Sequence, residues 1–385
     1  VYTVIKKLMT QPIDIIVTGH ICLDLIPALG AITPEMLALP GRLLETGPMS
    51  VSTGGAVSNT GLALHRLGAN VRLLATVGDD LIGRVIIAFL KDRDPALTEF
   101  MHVKPNQPGS YSVVLSPKNG DRTFLHCPAN NSTFSTEDID FEVVAQGKIF
   151  HLGYPTILPR LIENDGDALA AIYQQAKAVG AATSLDMTLP DPASPSGRAD
   201  WKAILAKTLP YVDIFLPSIE EILFMLRRDD YERWHGNVLS HLTRAYLRDF
   251  ADELLVMGVV IAGFKLGEMG IYLRNAESAK FDRLARLGLN VPQWADAEVY
   301  LPAFQAEVVG TTGAGDSAYA GFLVGIVRGM SPENAVRLAC GVGACNVEAP
   351  DATSGVQSLE ATEARIHAGW PTRTERLPDF RRGRT

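Results

Sequence analysis

The chain has 385 residues, 47% hydrophobic and 20% charged, the proportions of an ordinary globular protein, which exclude disordered and collagen-like classes. Lys plus Arg number 35 against 43 Asp plus Glu, a formal charge of −8, the wrong sign for non-specific nucleic-acid binding. No apolar run reaches the ~20 residues that span a bilayer; the nearest, 254–263, reads as a buried strand, and no continuous apolar stretch follows Lys6 and Lys7. Neither a membrane segment nor a secretory signal is therefore expected, and the expected location is cytoplasmic. Cys22, Cys127, Cys340 and Cys345 match no disulfide scaffold or zinc ribbon and read as reduced thiols.

A first buried strand is expected at 13–18, closed by Gly19. The stretch 26–49 shows no clean period and reads as an insertion. Ala56, Val57, Leu62, Leu64 and Leu67 then fall at helical spacing, with Gly68 as the stop. A strand at 71–77 and a helix at 82–91 follow. The segments 110–115 and 123–126 flank 116–121, whose Asn and Gly favour a hairpin. Alternation resumes with strands at 148–152, 181–186, 212–216 and 255–262 and helices at 166–179 and 219–226, the pattern of a doubly wound, mostly parallel α/β sheet with helices on both faces. Region 275–300 has no period and reads as a second excursion. A strand at 307–309 leads through glycines into helices at 314–328 and 332–347. The tail 373–385 carries five arginines and reads as a flexible end.

The most informative residues are Gly310-Thr311-Thr312-Gly313-Ala314-Gly315-Asp316-Ser317, between a strand and an apolar helix. Glycines let backbone approach a ligand closely, and the first N–H groups of the helix face outward with the positive end of its dipole, which makes an anion site. A carboxylate beside such a site is unhelpful for plain anion binding. It is useful if Asp316 takes a proton from an attacking hydroxyl, as the catalytic Asp of kinases does. The bland alternative is that Asp316 only complements the dipole. Gly313, Gly315 and Ala318 also satisfy the dinucleotide fingerprint. That motif belongs in the first βαβ unit with an acid about 20 residues on, whereas here it falls late and 335–347 holds no acid. A Walker A loop is missing, since Gly147-Lys148 continues into Ile149.

Two regions resemble the signatures of the PfkB, or ribokinase-like, family of carbohydrate kinases: Gly54-Gly55-Ala56-Val57-Ser58-Asn59 with Arg66-Leu67-Gly68, and Thr312-Gly313-Ala314-Gly315-Asp316. Gly78-Asp79-Asp80 with Gly83, Gly120-Asp121-Arg122, and Lys265-Leu266-Gly267 with Gly270 agree, so the resemblance covers about 13–355. It implies an ATP-dependent transfer of the γ-phosphoryl group to a primary hydroxyl of a small sugar, with Asp316 as base and the Gly313, Ala314 and Gly315 amides as anion hole. It implies substrate contacts at Asp24, Gly54, Gly55 and Asn59, with Tyr154, after a strand end, a specificity candidate. Lys265 and Gly267 match a nucleotide-contacting turn.

Glu221 ends the family's Asn-x-x-Glu motif, which organises Mg2+ and phosphate, but Ser218 stands where the family has Asn; without the family the pair reads as a helix capping box. Gly310 stands where many members carry an Asp that helps bind a monovalent cation, which argues against potassium activation. The resemblance further implies one domain over 1–372, with a small β lid from about 22–53 and 104–127 that excludes water and offers a surface for a homodimer. Two other readings remain open: a nucleoside kinase stacking a base on Tyr111 and Phe124, and a catalytically silent sugar- or nucleotide-binding regulator.

Overall fold

The computed structural model describes residues 12–119, 123–234, 236–374 and 377; the Gly120-Asp121-Arg122 landmark lies outside them. Fourteen strands lie among these residues. The body is an eight-stranded sheet of β1 (Ile13–Gly19), β4 (Val71–Leu74), β9 (Gly147–Gly153), β10 (Ala182–Asp186), β11 (Ile214–Phe215), β12 (Ile261–Lys265), β13 (Ile271–Asn275) and β14 (Glu298–Leu301). They lie in the order β14-β13-β12-β11-β10-β9-β1-β4. The last six of that order run parallel; β13 and β14 are antiparallel additions.

Period-two burial explains why this sheet needs two helical layers. Ile15 and Val17 of β1 join one core with the helices Ala56–Arg66, Ala314–Val327 and Pro332–Asn346, while Ile16 joins a second core with Asp167–Ala178, Ile219–Leu226 and Arg244–Val256. From β1 the chain first adds β4 on one side and then crosses to β9 on the other, so a topological switch point lies at the carboxyl ends of β1 and β9. The two strand ends nearly touch: a Cβ on Gly19 would sit 2.2 Å from Gly153 O.

The segments expected to form a lid make a separate four-stranded sheet, β3 (Met49–Gly54), β2 (Cys22–Pro27), β7 (Tyr111–Leu115) and β8 (Thr123–Cys127), in that order, called the lid sheet below. A two-stranded ribbon of β5 (Thr76–Gly78) and β6 (His102–Lys104) adjoins it in the chain. Leu23 is paired with Tyr111 and Asp24 with Ser112. Leu23, Leu25 and Tyr111 therefore share the face that packs on the first core, with Leu125 on the same face but exposed at the edge strand, and Asp24, Ser112, Phe124 and His126 share the other.

Five expectations are corrected. The run 254–263 is not one strand: Leu247, Phe250, Ala251 and Leu254 bury one helical stripe, and Gly258, at φ 115°, ends the turn before β12. The 71–77 strand breaks at Ala75 into β4 and β5. Region 275–300 supplies edge strand β14. Residues 307–309 form an exposed loop rather than a strand. In the tail, Arg373 pairs with Glu268 at 2.9 Å and Leu377 is buried at 2% exposure, so these two residues are held against the body.

Candidate active site

Gly313 caps the Ala314–Val327 helix at φ 71°, and a Cβ there would stand 2.6 Å from Ala352 O. Only glycine fits that turn. The N–H groups of Gly313 and Gly315 meet no protein acceptor among the described residues, whereas Ala314 N–H donates to Thr311 O at 3.3 Å. Two of the three expected anion-hole amides are thus free, and the third is engaged.

Asp316 is 3% exposed. Its carboxylate accepts from Tyr154 OH at 2.7 Å to both oxygens, from Asn59 Nδ2 at 3.0 Å and from Thr60 Oγ1 at 3.4 Å. Tyr154 reaches it because the residue after β9 is left-handed, φ 64°, a conformation uncommon without glycine. Asn59 and Thr60 come from the helix that packs on the end of β9, where a Cβ on Gly153 would lie 2.2 Å from Ala56 Cβ. Burial, then the charge of Asp186, raises Asp316 to about 6 against the opposing pull of Lys265, Tyr154 and Asn59.

Lys265 ends β12 and donates from Nζ to Asp186 Oδ1 at 2.7 Å. A Cβ on Gly315 would be 3.4 Å from that ammonium, which therefore lies against the glycine turn. Burial opposes its charge, yet Asp186, Glu221 and Asp316 together hold its pKa above the usual lysine value. Ser218 and Glu221 form the expected capping box: Glu221 Oε2 accepts from Ser218 N–H at 2.7 Å, and Ser218 Oγ from Glu221 N–H at 3.3 Å. Burial raises Glu221 to about 7 despite Lys265.

Asp24 lies on the lid strand β2, pressed against Gly54, where a Cβ would be 2.1 Å from its Oδ2. Burial pushes Asp24 up to about 6 against hydrogen bonds from Cys22 and Ser112. Gly55, at φ 84°, has no room for a side chain because His20 Nδ1 would stand 2.4 Å from its Cβ. Among the described residues no hydrogen bond joins Asp24 to Asp316; Asp24 meets Cys22 and Ser112 on the lid sheet instead.

Against Gly315 lies a cavity of about 330 Å3, of whose lining Asp316 is not part, walled by Lys265, Gly267, Gly270, Ala303, Phe304, Ala314, Ala339, Gly343, Ala344 and Arg373, among others. Sequence reasoning found its Lys265, Gly267 and Gly315 and missed Phe304 and Arg373, which carry no local motif. It also missed Asp186, whose signal was its place as last residue of a parallel strand.

A model of pfkB family carbohydrate kinases matches residues 13–359. The chain belongs to the PfkB family. An uncharacterized sugar kinase of Archaeoglobus fulgidus is 28% identical over 295 residues, 77% of this chain and 98% of that protein. Arabidopsis thaliana ribokinase, solved with ribose and ATP, superposes with a TM-score of 0.69 at 18% identity, covering 92% of this chain and 98% of its own. An Escherichia coli protein solved with ATP and Mg2+ gives 0.67 at 20% identity, covering 92% and 99%. This PfkB member is thus a carbohydrate kinase of ribokinase fold. Among its described residues no helix is long and apolar enough to cross a membrane.

Proposed function

We propose that this PfkB kinase moves the γ-phosphoryl group of ATP to a primary hydroxyl of a small sugar or sugar-like acceptor, with Asp316 as general base. The observation that carries this is a buried carboxylate at the start of a helix whose Gly313 and Gly315 amides stand free beside it. Tyr154 and Asn59 orient the carboxylate. As the acceptor oxygen bonds phosphorus and the bond to the β-phosphate oxygen breaks, the acceptor proton passes to Asp316. Charge on the transferring oxygens is met by the two amides and by Lys265. Asn59 Oδ1, buried and without a partner among the described residues, suits an acceptor hydroxyl, as does Asp24. The lid closes water out, since water would otherwise accept the phosphoryl group.

The cavity against Gly315 suits the nucleoside part of ATP: it is lined by small apolar groups with Lys265 at the phosphate end. Glu221 and the buried Oδ2 of Asp186, which has no partner among the described residues, fit Mg2+, which takes hard oxygen ligands and keeps several waters. Bound Mg2+ neutralises charge on the phosphates. A Cβ on Gly310 would lie 2.9 Å from Ala349 O and Pro350 O, so no carboxylate fits there for a monovalent cation. Exposed Met49, Val51, Phe124 and Leu125 on the lid's edge strands support a homodimer through the lid. Tyr111 and Phe124 point to opposite faces of the lid, which favours a sugar over a stacked base.

The test is a turnover screen with Mg-ATP over pentoses, hexoses, sugar phosphates, sugar acids and nucleosides, with Asp316→Asn as control. The expected result is turnover of a sugar or sugar acid, lost in the variant. Turnover of nucleosides alone overturns the acceptor class. Ligands that raise the melting temperature without turnover overturn catalysis in favour of a regulator.

A further inference from the structure

On the polar face of the lid, three side chains that the phosphoryl transfer does not use converge: His20 just after β1, Cys22 on β2 and His126 on β8. One ligand atom from each lies within 4.8 Å of the others. Lid register brings them together, since Asp24 is paired with Ser112 and Ser112 with His126, and Cys22, two residues before Asp24, shares their face. Cys22 Sγ donates to Asp24 Oδ1 at 3.4 Å, and His126 Nδ1 meets Ser112 Oγ at 3.0 Å. His20 is 2% exposed, and neither of its ring nitrogens has a partner among the described residues. A core imidazole without either hydrogen bond is unusual and calls for a ligand.

We propose that His20, Cys22 and His126 bind a thiol-seeking divalent cation of the zinc type, with the Asp24 carboxylate as fourth ligand. Two imidazoles, a thiolate and a carboxylate suit zinc and not Mg2+, so this site is distinct from the nucleotide's metal. Tetrahedral zinc ligands stand about 3.3–3.7 Å apart, a spacing that Cys22 Sγ and Asp24 Oδ1 already have at 3.4 Å; the ligand atoms of His20, Cys22 and His126 need to close by about 1 Å, and the Asp24 carboxylate, outside that group of three, has to turn further toward the imidazoles. In the tautomer that binds metal through Nε2, His126 Nδ1–H donates to Ser112 Oγ, and the exposed His126 ring gives an entry path. On binding, the Cys22 thiol releases its proton to solvent as the metal–sulfur bond forms, with no change of oxidation state. One consequence rests on the acceptor role proposed above for Asp24: a metal-bound Asp24 no longer holds a sugar hydroxyl, and the cation competes with the acceptor.

The test is titration of the chelator-treated full-length protein with Co2+, read by the thiolate-to-metal charge-transfer band, followed by displacement with Zn2+. The expected result is one site per chain, loss of the band in Cys22→Ser, zinc binding weakened about 100-fold in His126→Ala and about 10-fold in Ser112→Ala, and no change in Cys127→Ser. Protection of Cys22 from a thiol reagent by Zn2+ gives the same answer in the unsubstituted protein, should Cys22→Ser fail to fold. No thiolate band, a band that survives in Cys22→Ser, or zinc affinity unmoved in His126→Ala would overturn the site. Inhibition by Zn2+ that fails to compete with the sugar, while binding is as expected, would overturn only the assignment of Asp24 to the acceptor.

Discussion

The two sides of the Ala314–Val327 helix start are built from different materials. On the cavity side, much of the wall is backbone and methyl groups: Gly267, Gly270, Ala303, Ala339 and Gly343, with one aromatic, Phe304. On the other side, side chains crowd a buried carboxylate: Tyr154, Asn59 and Thr60 donate to Asp316, and Asp186 with Lys265 sits beside them. Under the proposed function, the first side holds the nucleotide by shape and backbone. The second carries charge out of water, where it gains catalytic strength and costs stability. Changes on the cavity side should therefore move KM for ATP, and changes on the carboxylate side should move kcat.

The largest expected effect that could break this division comes from Asp316→Asn, which should lower kcat by about 10³-fold with little change in either KM. The same variant should melt higher at pH 7–8. Because the folded pKa is raised to about 6 from 3.8, the ionised carboxylate penalises the fold above pH 6, and the penalty fades as pH falls through 6 toward 4. A lower melting temperature would mean that Asp316 is a structural partner and not a buried burden. Gly313→Ala forces φ 71° on an alanine and drives its Cβ into Ala352 O; misplacing the amides should cost about 10²-fold in kcat. Ala344→Leu narrows the cavity and should raise KM for ATP about tenfold while leaving KM for the sugar unmoved. Tyr154→Phe removes one hydrogen bond of about 1 kcal/mol from the carboxylate and should lower kcat about fivefold.

Legibility in the sequence followed the same division. Glycine turns are written locally, so 310–317 and Gly54-Gly55 could be read before any contact was known, and the helix at 219–226 matches its expected bounds. The mostly parallel, two-layered character of the sheet was legible from alternation alone, its strand order was not. What the sequence hid depends on pairing at long range: Asp186 meets Lys265 across 79 positions and Tyr154 meets Asp316 across 162. The lid shows this most plainly, because His20, Cys22 and His126 become neighbours only once register is set. Helix 244–256 was missed for another reason. Its apolar stripe runs straight into the β-branched 259–261 segment, and the turn at Gly258 carries the only mark between them.

The dependence of kcat/KM for the sugar on pH tests the central claim most directly, since it reports the free enzyme's essential base. Asp316 must be ionised to take the proton, so the rate should rise tenfold per pH unit below about 6 and level above it. Asp186, Lys265, Tyr154 and Asn59 set that midpoint. Removing the Lys265 charge in Lys265→Met withdraws a lowering influence and should move the acid limb to higher pH. A profile flat from pH 5 to 8, or a limb that stays in place in Lys265→Met, would contradict a buried Asp316 as the base.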